Sequence, residues 1–466
     1  MPDRAEGDAM LRIIPIDTPT LGDRSYVVHD GTTALVIDPQ RDIDRVLQVA
    51  DDEAVTVRHV FETHIHNDYV TGGHALARET GAAYYVNAED PVRFDRTPIR
   101  EGEAVAVSPL LVVRAILTPG HTFTHLSYAV ESAGRPAGVF SGGSLLFGST
   151  GRPDLVGPES TLSLARAQYA SAHRLAALPG DTPLFPTHGF GSFCSATQAE
   201  GTASTIAAEL VSNPALTQAE DDYVRALLAG LDTYPAYYAH MAEANLAAPA
   251  TPPDLSLPQR ADAADLRRHL AAGEWVVDLR TRTAFVSGHV AGSLNLGLDG
   301  SFATYLGWVI PWGTPLTLLG ETPEQVQEAQ RELGRIGIDR IRSAAYGDPQ
   351  ELAGPDGLRT SRAVRFAELE PARAQRPITV LDVRQQLEWE SGHVVGAVHI
   401  PFHDLRDRLD DVPSGEVWVH CATGYRAAYA ASLLAAAGRE AVLVDDDFER
   451  ARPAGVRLAG PGEQAA

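Results

Sequence analysis

Three potential metal ligands lie within one short stretch of this chain, Thr63-His64-Ile65-His66-Asn67-Asp68. It directly follows the apolar run Val57–Phe61, which predicts a β-strand. Imidazole nitrogens and carboxylate oxygens are common metal ligands, and a short turn after a strand brings such side chains together. The stretch therefore predicts a metal site at the end of this strand.

A strand followed by a polar turn recurs along the first half of the chain. Further predicted strands are Ala34–Asp38, Leu110–Leu117, Gly138–Phe140 and Pro183–Phe185. The last three lead into turns that contain His121, Gly143 and His188, respectively. Apolar periodicity predicts helices over residues 161–178, 202–210 and 221–228. The pattern is typical of an α/β fold whose sheets hold the geometry while the loops supply the chemistry.

Length and composition indicate a globular protein of about three domains. The chain has 466 residues, of which 44% are hydrophobic and 21% charged. Its formal net charge of −23 argues against nucleic acid or an anionic membrane surface as a partner, because both select basic faces. The sequence contains no lysine, which excludes lysine Schiff-base chemistry and a Walker-type phosphate loop.

The cysteine content and the first residues predict a cytoplasmic location. Cys194 and Cys421 are the two cysteines of the sequence, so no disulfide framework is expected and a reducing compartment is favoured. Residues 1–10 are polar and acidic without an apolar core, and no stretch has the length of a membrane span. A homo-oligomer is expected.

The second half of the chain contains an internal repeat. Val276-Val277-Asp278-Leu279-Arg280 recurs as Val380-Leu381-Asp382-Val383-Arg384, and the Ser-Gly-His-Val motif at 287–290 recurs at 391–394. Both pairs have the same offset, which predicts two tandem α/β domains. Candidate boundaries are the Pro- and Ala-rich stretch 247–258 and the weaker stretch 347–357. The predicted domains are therefore residues 1–250, 259–346 and 359–460.

The last domain carries a reactive-cysteine pattern. The apolar strand Val417–His420 is followed by the loop Cys421-Ala422-Thr423-Gly424-Tyr425-Arg426 and by the helix-forming run Ala427–Ala437. A cysteine that opens a helix lies among backbone N–H donors and near the positive end of the helix dipole, which favours the thiolate. The loop is therefore a candidate anion cradle with Cys421 as its nucleophile.

The first copy of the repeat lacks this equipment. Alignment of Gly337 with Gly438 places Gly320 on Cys421 and Gln325 on Arg426. Without a thiol, residues 259–346 lack the nucleophile, and a structural or docking role is expected for them. Asp278 and Asp382, each two residues before an arginine, are expected to form internal ion pairs.

The order of these motifs resembles the metallo-β-lactamase superfamily over residues 11 to about 245. The Cys-x-x-Gly-x-Arg loop at 421–426 resembles the rhodanese active loop. With Gly151-Arg152-Pro153-Asp154-Leu155 and the segment 188–194, the combination looks most like the fusions of persulfide dioxygenase and sulfurtransferase. The resemblance implies an α/β protein with an N-terminal αβ/βα sandwich followed by two rhodanese-like α/β domains.

The resemblance also implies a ligand set, from which this chain departs. His64, His66 and His121 match the three imidazoles of the first metal position. Asp68 and His188 match two ligands of the second position, whereas Tyr69 replaces its histidine. The carboxylate that either bridges two metals or completes an iron facial triad falls on Gly143, which cannot bind a metal.

One metal ion per chain is expected at the three-histidine position, since three imidazoles suffice for a mononuclear site. Fe(II) is favoured and Zn(II) is the alternative. Asp68, Tyr69 and His188 are left as outer residues or a weak second site. His125, His74 and Asp154 are expected to be structural. Cys194 remains open between a packed small side chain and a redox-active thiol.

Three hypotheses about function remain open. In the first, a non-haem iron domain oxidises a low-molecular-weight thiol persulfide with O2 to sulfite, while Cys421 transfers sulfane sulfur, with thiosulfate as a further partner. In the second, a mononuclear zinc activates water for thioester hydrolysis, as in glyoxalase II. In the third, the N-terminal domain is a degenerate scaffold and Cys421 is the one working centre. The metal that the protein binds would separate them.

Overall fold

The computed structural model describes residues 11–197, 201–247, 251–355 and 357–460. It divides into two compact units. The N-terminal unit comprises Met1–Leu231, Tyr237–Pro253 and Gly334–Gly337, and the C-terminal unit comprises Asp232–Ala236, Asp254–Leu333 and Ile338–Ala466. Residues 1–10, on which the expectation about the N-terminus rests, lie outside the described residues, as do parts of both predicted boundary stretches. The three domain boundaries stay predictions.

The N-terminal unit contains two six-stranded sheets, with strand orders β1-β2-β3-β4-β5-β6 and β12-β11-β10-β9-β8-β7. The strands are β1 (Arg12–Thr18), β2 (Asp23–His29), β3 (Thr33–Ile37), β4 (Thr56–Phe61), β5 (Ala83–Asn87), β6 (Thr97–Ile99), β7 (Ala104–Ala106), β8 (Leu111–Leu117), β9 (Leu126–Ser132), β10 (Arg135–Gly142), β11 (Pro183–Pro186) and β12 (Ser204–Thr205).

Alternation along the strands produces the layers of this unit. In β3, Leu35 and Ile37 lie in a core shared with Val113 and Tyr128 of the other sheet, whereas Val36 faces the opposite way. Successive side chains of a strand point to opposite faces, so one strand serves two cores. Helices cover both outer faces, and the predicted αβ/βα sandwich is confirmed.

The helices of this unit cover the two sheets, and three of them overlap the helices predicted at residues 161–178, 202–210 and 221–228. They are α1 (Asp44–Asp52), α2 (Gly73–Thr80), α3 (Pro158–Leu175), α4 (Ile206–Ser212), α5 (Pro214–Thr217), α6 (Glu220–Ala229) and α7 (Tyr238–Leu246). The helix predicted from residue 202 begins only at Ile206, because Ser204 and Thr205 pair with β11. The Thr205 side chain then accepts a hydrogen bond from Ala208 N as the N-cap.

The C-terminal unit contains two related parallel sheets. Their orders are β15-β13-β16-β17 and β22-β20-β23-β24-β19, and two short two-stranded sheets accompany them. The strands are β13 (Trp275–Asp278), β14 (His289–Val290), β15 (Leu294–Asn295), β16 (Leu316–Gly320), β17 (Ile341–Tyr346), β18 (Leu358–Arg359), β19 (Arg362–Val364), β20 (Thr379–Asp382), β21 (His393–Val394), β22 (Val398–His399), β23 (Val417–His420), β24 (Ala441–Val444) and β25 (Leu458–Ala459).

The register of the two sheets supports the predicted alignment of the repeat. Trp275 pairs with Leu316 in the first sheet, and Thr379 pairs with Val417 in the second. Gly320 therefore ends β16 close to the position at which Cys421 follows β23. We call residues 259–346 the first repeat and residues 359–460 the second repeat.

Helices of the C-terminal unit are short, apart from two. They are α8 (Ala263–Ala271), α9 (Arg282–Ser287), α10 (Phe302–Val309), α11 (Pro323–Arg335), α12 (Pro349–Ala353), α13 (Leu369–Arg373), α14 (Gln386–Ser391) and α15 (Tyr425–Ala436), with 3₁₀ helices at Phe366–Glu368, Leu409–Asp411 and Phe448–Arg450. Within the described ranges, no helix combines the length and apolar character needed to cross a membrane. The five tryptophans of the sequence lie between Trp275 and Trp418, and thus in this unit.

Candidate functional site

The predicted metal ligands of the N-terminal unit follow the ends of its strands. His64, His66 and Asp68 follow β4, His121 follows β8, and His188 follows β11. β4 belongs to one sheet and β8 and β11 to the other, so both sheets contribute loops to the same place. All five side chains are buried. The candidate site is therefore a buried cluster.

One group of imidazoles comprises His64, His121 and His188. One ligand atom from each ring lies within 4.8 Å of the others. The Nε2 atoms of His64 and His188 are 3.3 Å apart, and His121 Nε2 is buried without a hydrogen-bond partner. Burial and, to a smaller extent, the nearby His188 lower the pKa of His121 to about 3. A neutral imidazole with a free lone pair is the form that binds metals.

Each ring of this group is held through its other nitrogen. The Nδ1 partners are Thr63 Oγ1 for His64 (2.8 Å), the Arg152 carbonyl for His121 (2.9 Å) and Asp23 Oδ1 for His188 (2.9 Å). Partners of this kind orient metal-binding histidines in known sites, since they fix both the ring plane and the tautomer. The arrangement leaves the three Nε2 atoms for a shared ion.

His66 belongs to two further groups, one with Asp38 and Glu62 and one with Asp68 and His188, and its ring centroid lies 4.1 Å from that of His64. Its Nε2 is 3.2 Å from Glu62 Oε2, 3.4 Å from Asp38 Oδ1 and 3.0 Å from the Tyr69 hydroxyl. Burial alone would lower the pKa of His66, but the carboxylates of Asp38 and Glu62 together outweigh it and raise the pKa to about 9. The grouping of His188 with His64 and His121 was not expected from the sequence, and the ligand set His64, His66 and His121 stays a prediction.

Tyr69 supports His66 instead of supplying a metal ligand of its own. The two rings stack with centroids 4.3 Å apart and planes 24° apart. Burial raises the pKa of Tyr69 well above 10, so the phenol stays protonated. A neutral phenol is a weak metal ligand, and its hydroxyl lies against the imidazole that the sequence predicted as a ligand.

His188 lies between two carboxylates, one of which sequence reasoning missed. Its Nδ1 is 2.9 Å from Asp23 Oδ1 and 3.1 Å from Asp68 Oδ2. Burial opposes the charged imidazole, but Asp68 and Asp23 raise the pKa of His188 to about 10, so metal binding at its Nε2 would release a proton. Burial and Asp68 also raise the pKa of Asp23. Asp23 is the fully buried first residue of β2, and no motif in the sequence marks it.

Gly143 makes room for the ring of His121. A Cβ at Gly143 would lie 2.7 Å from His121 Cγ, and a Cβ at Gly151 would lie 2.7 Å from its Nδ1. Both distances are far below van der Waals contact. The imidazole thus occupies the space that the carboxylate at position 143 would need. An aspartate cannot be restored there without displacement of His121.

Asp154 and His125, which were expected to be structural, make the hydrogen bonds of structural residues. Asp154 pairs with Arg152 through two hydrogen bonds of 2.7 and 2.8 Å, which holds the segment whose carbonyl accepts from His121. His125 has both ring nitrogens in hydrogen bonds: Nδ1 lies 2.9 Å from Thr118 Oγ1, and Nε2 accepts from Gly143 N at 3.0 Å. Neither belongs to a metal-capable group of the described residues.

Cys194 is fully buried beside this cluster. Burial and the charge of Asp68 raise the pKa of its thiol well above 9. A thiol in such surroundings is a poor nucleophile, because the thiolate is the reactive form. The contacts of Cys194 therefore favour the packed side chain over the redox-active thiol.

The residues of the cluster have the chemistry of a metal site. Metal-capable groups in the described residues are His64/His121/His188, His66/Asp68/His188 and Asp38/Glu62/His66. Buried atoms without a hydrogen-bond partner are His121 Nε2, His66 Nδ1, Asp68 Oδ1 and Asp23 Oδ2. Unpartnered buried polar atoms are costly unless something binds them. A metal-binding cluster is therefore present, although Gly143 and Tyr69 supply none of its ligands.

The second candidate centre is the loop of Cys421 in the second repeat. Gly424 N donates to Cys421 Sγ at 3.2 Å, and Gly424 has φ +96° as the N-cap of α15. A left-handed backbone at this point requires glycine and turns the loop amides towards the sulfur. The loop therefore has the form of an anion cradle at a helix N-terminus.

Arg426 is tied to an acidic residue of the same repeat. Its Nη1 and Nη2 donate to Glu388 at 2.5 and 2.7 Å. Burial opposes its charge, whereas Glu388 and Cys421 raise the pKa of the guanidinium. Arg426 thus stays charged beside the cradle, although much of its hydrogen-bonding capacity goes to Glu388.

The predicted internal ion pairs of the two repeats are confirmed. Arg280 Nη2 donates to Asp278 at 2.6 Å and to the Gly288 carbonyl at 2.9 Å. Arg384 makes the same pair with Asp382. Neither aspartate touches the loop of Cys421 through a hydrogen bond, so both serve the strand ends.

Two family models match this chain. Residues 21–188 match the metallo-beta-lactamase superfamily, and residues 366–451 match the rhodanese-like domain. The first match contains the histidine cluster, and the second contains the Cys421 loop.

Curated relatives match the N-terminal part of the chain. The hydroxyacylglutathione hydrolase of Cupriavidus metallidurans is 32% identical over 190 residues, which are 39% of this chain and 68% of that protein. The protein of the same name from Methylobacillus flagellatus is 28% identical over 184 residues, 39% of this chain and 67% of the relative. The chain thus spans about two thirds of the length of these relatives.

A solved structure extends the similarity into the C-terminal half. The metallo-beta-lactamase from Staphylococcus aureus is 25% identical with a TM-score of 0.65, and the match covers 73% of this chain and 99% of that chain. The structure of ETHE1 from Myxococcus xanthus is 27% identical with a TM-score of 0.42 and covers 51% of this chain and 96% of that chain.

Proposed function

We propose that this chain, which belongs to the metallo-beta-lactamase superfamily and carries a rhodanese-like domain, is an enzyme of sulfane-sulfur metabolism. Cys421 transfers sulfane sulfur, and the metal-binding N-terminal unit oxidises a low-molecular-weight persulfide with O2. The observation that carries the proposal is the Cys421 cradle, in which Gly424 N donates to Sγ at 3.2 Å at the start of α15.

The cradle suits transfer of an anionic sulfur. The Cys421 thiolate attacks the outer sulfur of a donor such as thiosulfate, the sulfur–sulfur bond of the donor breaks, and sulfite leaves with the bonding electron pair. The resulting Cys421 persulfide then gives its outer sulfur to an acceptor thiolate, which regenerates the Cys421 thiolate. Backbone N–H groups and the helix dipole stabilise the negative charge on sulfur in each step.

The test of this half uses the full-length protein. Cys421→Ser removes the nucleophile but keeps a side chain of similar size, so we expect sulfur transfer from thiosulfate to an acceptor to fall below about a thousandth of the wild-type rate. Cys194→Ser is the matched control and should keep the rate. Undiminished transfer by Cys421→Ser would refute the assignment.

In the N-terminal unit, His64, His121 and His188 would hold one metal ion, and Thr63, Asp23 and the Arg152 carbonyl would orient them. A bound Fe(II) would supply the O2 chemistry that persulfide oxidation needs. Overall, a persulfide RSSH, O2 and water give RSH, sulfite and two protons. The link to Cys421 supports this substrate class, because both centres would handle the same form of sulfur.

The test of this half is O2 consumption with glutathione persulfide by the purified protein. His121→Ala should abolish it, whereas Cys421→Ser should leave it unchanged because that thiol lies outside the histidine cluster. Sulfite should appear in equal amount to the O2 consumed. O2 uptake that survives His121→Ala would refute the assignment to this cluster.

Thioester hydrolysis is the second candidate, favoured by the similarity to hydroxyacylglutathione hydrolases. Zn(II) would then supply the activated water. Metal analysis and the O2 requirement separate the candidates. Iron with O2-dependent sulfite release supports the dioxygenase, and zinc with O2-independent cleavage of a glutathione thioester supports the hydrolase. Absence of both activities would leave Cys421 as the working centre.

A further inference from the structure

Arg282, at the start of α9 in the first repeat, reaches the loop of Cys421 in the second repeat. Its Nε donates to Asp445 Oδ1 at 2.5 Å, and its Nη2 donates to the Thr423 carbonyl at 3.4 Å. Thr423 and Asp445 both belong to the second repeat, and both repeats belong to one compact unit. The repeat without a cysteine thus supplies a cation to the repeat that has one.

Arg282 also packs against the glycine that shapes the loop. A Cβ at Gly424 would lie 2.7 Å from Asp445 Oδ1 and 3.1 Å from Arg282 Nε. The ion pair between Arg282 and Asp445 therefore lines the outer side of Gly424, whose N–H points to Cys421 Sγ. Because Gly424 has φ +96°, a neighbour that limits its freedom preserves the cradle.

A second contact from the first repeat reaches the next residue of the loop. The Tyr425 hydroxyl donates to the Gly297 carbonyl at 2.6 Å. The Tyr425 ring also passes so close to Gly300 that a Cβ there would lie 2.7 Å from Cδ2. Tyr305 of α10 stands 5.4 Å from the Tyr425 ring. Residues 423 to 425 are therefore fixed from the first repeat on two sides.

Arg282 and Arg426 differ in how far nearby carboxylates neutralise their charge. Arg426 gives two hydrogen bonds to Glu388, which neutralises much of its charge. Arg282 has one close carboxylate, Asp445, and a more distant one, Asp299, at 3.6 Å. Its side chain is 30% exposed, so solvent and small anions can approach it. Burial opposes its charge, but Asp445, Asp299 and the Cys421 sulfur raise its pKa.

We propose that Arg282 is a positioning residue of the Cys421 centre, supplied by the repeat that lacks a cysteine, and that it attracts the anionic sulfur donor. It holds the Thr423 carbonyl, so that the amide of Gly424 stays directed at Sγ, and it adds positive charge at the rim of the cradle. The first repeat is then a working part of the transferase. This inference rests on the proposed sulfur transfer by Cys421.

The test measures thiosulfate-dependent sulfur transfer by full-length variants. Arg282→Gln keeps a polar side chain without the charge, and we expect KM for thiosulfate to rise about tenfold. The rise of KM with ionic strength should also flatten, because an attractive charge has been removed. Arg282→Lys keeps the charge but loses the planar fork, so KM should stay near the wild-type value while kcat falls.

A variant with the opposite expected sign separates attraction of the donor from support of the fold. Asp299→Asn removes the more distant carboxylate, which leaves Arg282 more available, and should lower KM for thiosulfate. Arg268→Gln is the control, because Arg268 pairs with Asp265 on the surface of α8 in the same repeat. It should leave both constants unchanged.

The outcomes distinguish this inference from the function on which it rests. Wild-type transfer that Cys421→Ser abolishes confirms the transferase. If Arg282→Gln then has the wild-type KM, kcat and salt dependence, the role of Arg282 is refuted while the transferase stands. If Arg282→Gln loses its fold, a KM for Asp299→Asn at or above the wild-type value refutes it. A wild-type protein without transfer activity overturns the function first.

Discussion

His188 has the contacts of an oriented ligand, with Asp23 and Asp68 at Nδ1 and His64 at Nε2. We therefore expect His188→Ala to weaken metal binding more than about a hundredfold, since a ligand should matter at least as much as the residues that orient it. His66→Ala should have a smaller effect, because His66 Nε2 already lies 3.2 Å from Glu62 and 3.4 Å from Asp38.

The measurement is the dissociation constant for Fe(II), taken anaerobically, and for Zn(II). His74→Ala is the control, since His74 lies outside every metal-capable group of the described chain. If His66→Ala abolishes binding and His188→Ala preserves it, then the set His64, His66 and His121 is the correct one.

Asp23, which orients His188, provides a second test of the metal site. Asp23→Asn keeps the shape of the side chain but weakens its hold on the Nδ1–H of His188, so metal affinity should fall about ten- to a hundredfold. Titration by calorimetry would measure it. Unchanged affinity would show that Asp68 alone orients His188.

At Gly143, introduction of the missing carboxylate is expected to weaken metal binding instead of strengthening it. Introduction of the carboxylate by Gly143→Asp would ordinarily add a metal ligand. A Cβ here, however, would lie 2.7 Å from His121 Cγ, so the ring must move. We expect Gly143→Asp and Gly143→Ala alike to lower metal affinity and to destabilise the N-terminal unit by about 1–3 kcal/mol. Tighter binding by Gly143→Asp alone would contradict this.

Among the secondary-structure elements, the strands were predicted well by apolar runs. Val57–Phe61 and Leu110–Leu117 lie almost where β4 and β8 do, because buried strands show a strong local signal. The start of α4 was predicted too early, since pairing of Ser204 and Thr205 with β11 is a non-local contact.

The histidines of the site were found by their spacing, but the residues that orient their rings were not. Direction of a side chain depends on neighbours distant in sequence, such as Asp23 for His188 and Glu62 for His66. Asp23 carries no motif, and its partner lies 165 positions away. The sequence could therefore predict a metal cluster but not the partners that orient it.

Glu416, the residue before β23, provides a prediction about how stability depends on pH. Glu416 accepts from Arg376 at 2.6 and 2.9 Å and from Trp418 Nε1 at 2.7 Å. Hydrogen bonds from Arg376 lower the pKa of Glu416 from 4.5 to about 2. The carboxylate thus stabilises the fold at pH values above about 4.5, and this contribution is lost as the pH falls towards 2.

We expect Glu416→Gln to lower the free energy of unfolding by about 1 kcal/mol at pH 7. The difference from wild type should hold down to about pH 5 and shrink below it. Urea unfolding followed by tryptophan fluorescence measures it, because the five tryptophans lie in the C-terminal unit. A difference that grows on acidification would contradict the sign.

Of the two compact units of the described chain, the N-terminal one alone contains the histidine cluster. Removal of the metal by a chelator should therefore lower the thermal transition of that unit, because a ligand stabilises the state that binds it. At a free metal concentration a hundred times Kd the stabilisation is about 2.7 kcal/mol. Circular dichroism should report the shift, and tryptophan fluorescence should report less of it.

The two repeats share one architecture but contribute different groups to the Cys421 loop. Both repeats keep the strand order and the internal ion pairs at Asp278 and Asp382. Only the second keeps a cysteine, whereas the first contributes Arg282 and the Gly297 carbonyl to its partner's loop. Loss of the nucleophile in one repeat therefore need not make that repeat inert.

Burial of the two cysteines has a practical consequence. Cys194 lies in the N-terminal unit with no exposed surface, and Cys421 lies in the C-terminal unit at 1% exposure. A thiol reagent can reach either sulfur only during a local opening, so each alkylation rate reports the opening of its own half. Metal loading should then slow the alkylation of Cys194, while pre-incubation with thiosulfate should protect Cys421. Mass spectrometry of the two tagged peptides would follow both halves of the molecule in one sample.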